Sequence, residues 1–147
     1  AQQNETLNVV EVVQMTLEIF NEDYIRFSAI EDEIIAKLDR TQLIRVVTNL
    51  VKNAIQAIPE EQENKQVFVT VFREDHQVKI AVKDNGKGIS EDHAARIFEP
   101  KFTTKSSGMG LGLAIIKNII ENYQGTITFE TEINIGTEFL VSFPINK

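Results

Sequence analysis

Two neighbouring segments, "QVFVTVFRE" (66–74) and "QVKIAVKD" (77–84), alternate apolar and polar residues and are separated only by a polar turn around Asp75. A period of two puts every second side chain on the same face of a pleated strand, so the pair predicts an antiparallel hairpin with one buried face. Around it lie further short β-rich runs, "YIRFSAI" (24–30) and "EIIAKLD" (33–39), and two closing strands, "GTITFETE" (125–132) and "GTEFLVSFP" (136–144). Helical periodicity runs from Asn8 to about Phe20, opened by Asn8 and Glu11 as a capping box. Asp39 and Gln42 make a second capping box, for a helix that Pro59 stops. After Ser90 the chain predicts a short helix, "EDHAARIF", then an irregular Gly/Ser/Thr/Lys stretch. A last helix, "LGLAIIKNIIENY", is expected to end in a cap at Gly125.

Composition narrows the classes open to such a chain. With 147 residues, 42% of them hydrophobic, one domain with a substantial core is expected. A formal charge of -7 argues against a nucleic-acid partner, which requires a basic face, so any phosphate binding has to be local. There is no cysteine for disulfides or a thiolate metal site, no apolar run of membrane-spanning length and no leader pattern. A cytoplasmic setting without direct membrane contact is expected. The polar opening "AQQNET" after a non-methionine start points to a piece of a longer protein with residues 1–6 as a flexible tail.

The helix before Pro59 carries an apolar face of Leu43, Val47, Leu50, Ala54 and Ile58 opposite a polar stripe of Gln42, Arg45, Asn49, Asn53 and Gln56. Such a stripe ordinarily meets solvent, where Glu and Lys are the usual choices. Asn49 and Asn53, four residues apart, instead offer neutral oxygens suited to a hard cation beside a phosphate chain. In "KDNGKGIS" (83–90), Asp84 ends a strand while Gly86 and Gly88 permit a tight turn or a close backbone approach. The segment is either an ordinary Asn-Gly turn or a base site, in which the ionised carboxylate accepts from a purine amine and selects adenine over guanine. In "PKFTTKSSGMGLGL" (100–113), Gly108, Gly110 and Gly112 lead into a helix whose free N–H groups and dipole favour phosphate. Lys101 and Lys105 on the preceding stretch serve either solubility or a bound polyphosphate.

Taken in order, these segments resemble the ATP-binding catalytic domain of sensor histidine kinases, within a wider ATPase group shared with type II topoisomerases and MutL. "NLVKNAIQAIP" looks like the N box, "DNGKGI" the first glycine box, "IFEPKFTTK" the phenylalanine box and "GMGLGLAII" the second glycine box, across nearly the whole chain from about residue 7. The resemblance implies a Bergerat fold, an α/β (α+β) two-layer sandwich of about five mixed strands on three helices with a flexible ATP lid. It implies ATP and Mg2+ as ligands, with Asn53 on the metal, Asn49 supporting that polar face and Asp84 on adenine. Gly86, Gly88 and Ile89 would shape the base pocket, and Gly108, Met109, Gly110, Leu111 and Gly112 the phosphate end of the lid. Phe98 and Phe102 would anchor the lid, and Lys105 would approach the terminal phosphate. The implied reaction is transfer of the γ-phosphate to a histidine on a phosphoacceptor helical domain absent from this chain, with a response regulator as indirect partner.

Departures from the family pattern sharpen this expectation. Gln56 stands where a basic residue is common, with Lys52 or a lid lysine as substitutes, and Lys101 and Met109 are also unusual. ATP-hydrolysing members carry a glutamate four residues before the metal asparagine; Asn49, an amide, has no basicity to activate water, which favours transfer over hydrolysis. His76 and His93 lack the setting of a phosphoacceptor and are expected to be ordinary surface residues. An anti-sigma-type serine/threonine kinase and a non-catalytic nucleotide-binding module are the alternatives, the phenylalanine box favouring the histidine kinase branch.

Overall fold

The computed structural model describes residues 3–99 and 109–145. Along the chain it forms β1 (Asn4–Asn8), α1 (Val9–Leu17), β2 (Ile25–Ala29), β3 (Ile35–Asp39), α2 (Arg40–Ala57), β4 (Val67–Glu74), β5 (Gln77–Asp84), α3 (Glu91–Ala94), α4 (Met109–Asn122), β6 (Thr126–Glu132) and β7 (Gly136–Pro144). The hairpin forms as its alternation predicts, in register from Val67 opposite Asp84 to Glu74 opposite Gln77, and Asp75 takes the positive φ of a two-residue turn. The main sheet runs β2-β4-β5-β7-β6, mixed because β2 lies parallel to β4 while every other pair is antiparallel.

One face of the sheet is covered by helices and supplies the core. Val67, Val69 and Val71 of β4, Val78, Ile80 and Val82 of β5, and Phe139, Val141 and Phe143 of β7 are all buried. Burying each such side chain contributes roughly 1.5–3 kcal/mol. The central helix α2 packs on β5, flanked by α1 and α4, and it presents Leu43, Val47, Leu50, Ala54 and Ile58 to the core as expected. The opposite face exposes Phe68 and Lys83. The result is the two-layer α+β sandwich implied by the resemblance.

Cap chemistry sets the helix ends. The Asn8 side chain accepts from Val10 N–H, and the Asp39 side chain accepts from Gln42 N–H at 3.1 Å. At the end of α4 the expected cap moves by one residue: Gln124, at φ 60°, takes the left-handed position, while Gly125 donates to Ile120 O. Gly125 is there for space, since a Cβ on it would stand 2.2 Å from Ser142 O. A second correction concerns the start of the chain. Asn4–Asn8 is not a tail but a strand, paired antiparallel with β3 in a separate two-stranded ribbon. Gln3 N–H donates to Asp39 Oδ2 at 2.7 Å, and Tyr123 OH donates to Asn4 Oδ1 while accepting from Asp39 N–H. These bonds fasten the ribbon to the far end of α4.

Candidate nucleotide site

The helix-covered face changes character at one rim. Ile25, Val67, Asp84, Thr137 and Thr131 stand opposite one another as the last cross-strand row, so three polar residues close an otherwise apolar face. Asp84 is only 5% exposed there. Gly86 N–H donates to its Oδ1 at 2.8 Å, and Thr137 N–H donates to the same carboxyl group. Burial outweighs these two donors and pushes the Asp84 carboxyl up to about 6.

The turn after β5 is clamped from both sides. A Cβ on Gly86 would stand 2.3 Å from Ala57 O, and Lys87 N–H donates to that same oxygen at 2.9 Å, which satisfies a carbonyl at the end of α2. Gly88 has φ 77°, and a Cβ there would stand 2.4 Å from Glu132 O at the end of β6. The first glycine therefore serves close approach and the second a left-handed backbone. Asn85 ties the turn to the segment before β4, accepting from Gln66 N–H and donating to Asn64 O.

Between this turn, α2, α3 and β7 lies a cavity of about 190 Å³. Asn53, Asp84 and Thr137 supply its polar groups, Ala57, Ile89, Ile97 and Phe139 its apolar walls, and the exposed Lys87 and His93 stand at its mouth. A mostly apolar slot with a few convergent polar groups suits a flat heteroaromatic base. Asn53 is 9% exposed, so the polar stripe of α2 does not all meet solvent, and its Nδ2 has no hydrogen-bond partner among the described residues. A buried amide with an unmet donor, paired with a neutral oxygen able to ligate a hard cation, fits a Mg2+-bound phosphate chain.

The structure therefore brings Asn53, Asp84, Gly88 and Ile89 together around one cavity, with Gly86 directly behind Asp84. Asn49 is not in the cavity wall. It is half-buried where the first turn of α4 crosses α2, its Cγ 4.0 Å from the position of a Cβ on Gly112. Gly110 and Gly112 lie inside that first turn, since α4 begins at Met109. Phe98 also stands outside the cavity wall, packed edge-on against Phe129 at 5.8 Å and beneath Lys117 at 5.6 Å. Lys101, Phe102, Lys105 and Gly108, and the side chains of Met109 and Leu111, lie outside the described residues. Ala57, Lys87, His93, Ile97, Thr137 and Phe139 are the lining residues that sequence reasoning missed. The signal for Thr137 was available, because it continues the alternation of Phe139, Val141 and Phe143 into the buried face.

A buried acceptor carboxylate, a double-glycine turn and an amide-bearing helix, all on one side of a mixed sheet, define a nucleotide-binding domain of the ATPase kind. Residues 38–147 match the family of histidine kinase-, DNA gyrase B-, and HSP90-like ATPases, and the chain belongs to that family, on its histidine kinase branch. It is 42% identical over 121 residues to Sporulation kinase A of Bacillus subtilis (strain 168), a match that takes in 82% of this chain and 20% of that protein. The chain thus spans about a fifth of that relative's length. The solved catalytic domain of histidine kinase ThkA, in a nucleotide-free form, is 31% identical and superposes with a TM-score of 0.86 over 98% of this chain and 97% of its own. ThkA in complex with the response regulator protein TrrA is 29% identical, with a TM-score of 0.80 over 97% of this chain and 42% of that one.

Proposed function

We propose that the chain binds Mg-ATP in this cavity, adenine against Asp84 and the phosphates beside Asn53, and passes the γ-phosphate to a histidine on a separate phosphoacceptor helical domain of the same kinase. One imidazole nitrogen would form a bond to the γ-phosphorus as the bond to the β-bridging oxygen breaks, leaving ADP. Mg2+, held with the phosphates by the Asn53 oxygen, would supply charge neutralisation. The chain's own residues do the rest: Asp84 orients the base, Gly86 and Gly88 let the backbone approach it, and Asn49 leaves no carboxylate to activate water. The observation that carries the reading is a buried carboxylate in the same cavity as an amide with an unmet donor. A response regulator downstream is supported by the ThkA–TrrA complex. The chemistry belongs in the cytoplasm, where ATP is supplied; among the described residues no helix is long and apolar enough to cross a membrane.

Two measurements test this. Calorimetric titration should show Mg-dependent ATP binding that Asp84→Ala and Asn53→Ala each abolish; normal binding by both variants sinks the site assignment. With radiolabelled ATP, a histidine-bearing helical domain supplied in trans should acquire an acid-labile phosphate. An acid-stable phosphate would point to hydroxyl transfer instead.

A further inference from the structure

Behind the cavity wall lies a hydroxyl that touches no part of the cavity but bonds to two elements that build it. Ile89 N–H, in the glycine turn, donates to Thr131 Oγ1 at 2.9 Å. The same oxygen is 2.8 Å from Thr137 Oγ1 and 3.3 Å from Gly136 O. Thr137 lines the cavity, and its backbone N–H donates to Asp84. Thr131, Thr137 and Asp84 are consecutive members of one cross-strand row, so the three lie side by side on a single face.

A threonine hydroxyl has one hydrogen and two lone pairs. Thr131 uses one lone pair on Ile89 and has two possible acceptors for its hydrogen. The 2.8 Å contact is the better bond. If Thr131 donates to Thr137, the Thr137 hydrogen is left for the cavity. If Thr131 donates to Gly136 instead, Thr137 must donate back to Thr131 and shows the cavity only lone pairs. Beside the acceptor Asp84, a donor hydroxyl completes an acceptor–donor pair. That pair matches an amino group next to a ring-nitrogen lone pair, the 6-aminopurine edge, and mismatches the keto and N–H edge of a 6-oxopurine. We propose that Thr131 is a positioning residue for base selection: it pins the glycine turn at Ile89 and sets the Thr137 hydroxyl as a donor toward the base. The inference rests on the reading that this cavity takes a purine nucleotide.

The test is calorimetric titration of Mg-ATP and of Mg-ITP, its 6-oxo counterpart, into the wild type, Thr131→Val and Thr131→Ser. Thr131→Val, nearly equal in shape, should weaken ATP binding by about tenfold and ITP binding by less, so that the ATP/ITP preference shrinks. Thr131→Ser should restore both affinities to within about twofold of wild type. Should Thr131→Val fail to fold, Thr131→Ala removes the same hydroxyl without adding bulk. An unchanged ATP/ITP ratio in the hydroxyl-free variant overturns the proposal, even if both affinities fall together, because a purely structural role moves them equally. A wild type that binds neither nucleotide overturns the assignment of the cavity and this inference with it.

Discussion

Asp84 shows how far a single residue can be understood from its surroundings. Its carboxyl rises from the ordinary 3.8 to about 6 on folding, through burial that the Gly86 and Thr137 N–H groups only partly offset. Below 3.8 the group is protonated in both folded and unfolded chains and contributes nothing. Between 3.8 and about 6 the folded chain keeps a proton that the unfolded chain has lost, so stability falls as pH rises through that window. Above it the unliganded protein carries the whole penalty, up to about 3 kcal/mol. Asp84→Asn should therefore raise the thermal unfolding midpoint of the unliganded protein at pH 8, with the gain closing as pH approaches 4. Binding runs the other way, because an amine donor favours the ionised carboxylate. Affinity for adenosine, which has no phosphate to titrate, should fall by up to about tenfold per unit below pH 6; a profile level from pH 5 to 7 would count against Asp84 as the base partner. Asp84 was legible because it ends an alternating strand at an Asp-x-Gly-x-Gly turn. Alternation places Thr137 on the buried face, but its pairing with Thr131 was not legible, since threonine is an ordinary strand residue and only cross-strand register brings their hydroxyls together.

At the scale of elements, the hairpin and the helices α1 and α2 followed from alternation and the N-cap residues Asn8 and Asp39, because those signals lie within a few residues of what they specify. The return bond expected of Gln42 does not form, since Asp39 N–H donates to Tyr123 OH and Gln42 Oε1 has no partner among the described residues. The strand β1 was missed for the opposite reason. Asn4, Glu5 and Thr6 are exposed, and the strand is held by backbone pairing to β3 and by a polar knot of Asp39, Tyr123 and Asn4. Asp39 is the hub of that knot. N–H donation from Gln3 and then Gln42 holds its carboxyl below the usual range, a stabilisation present at neutral pH and lost as pH falls through the lowered value. Asp39→Ala removes the cap of α2 and one tie to β1 together, so its unfolding midpoint at pH 7 should be lower than wild type, with Asp39→Asn retaining more of it. Hydrogen exchange should show the loss at the start of α2 and along β1 before it reaches β4 and β5. Equal loosening everywhere would mean that the ribbon and the helix do not share this joint.

For the whole molecule, the cavity gathers α2, the β5 turn, α3 and β7, so a ligand there ties together elements distant in sequence. Mg-ATP at a hundred times its Kd should stabilise the fold by about 2.7 kcal/mol. For a chain of this size that raises the unfolding midpoint by roughly 5–10 °C. Chelating the metal should remove most of the shift, and Asp84→Ala should show none; a shift in that variant would place the nucleotide elsewhere. The order of boxes along the sequence pointed to Asn53, Asp84, Gly88 and Ile89, which line the cavity, whereas their meeting with Thr137 and Phe139 depends on the strand order that seats β7 beside β5. The same sheet has a second consequence, for instrumentation rather than chemistry. Lys83 is adjacent to Asp84 in the chain yet points from the bare side of the sheet, exposed to solvent. A fluorophore attached there would sit one peptide bond from the proposed base partner without obstructing it, making that side the natural mounting point for an optical reporter of nucleotide occupancy.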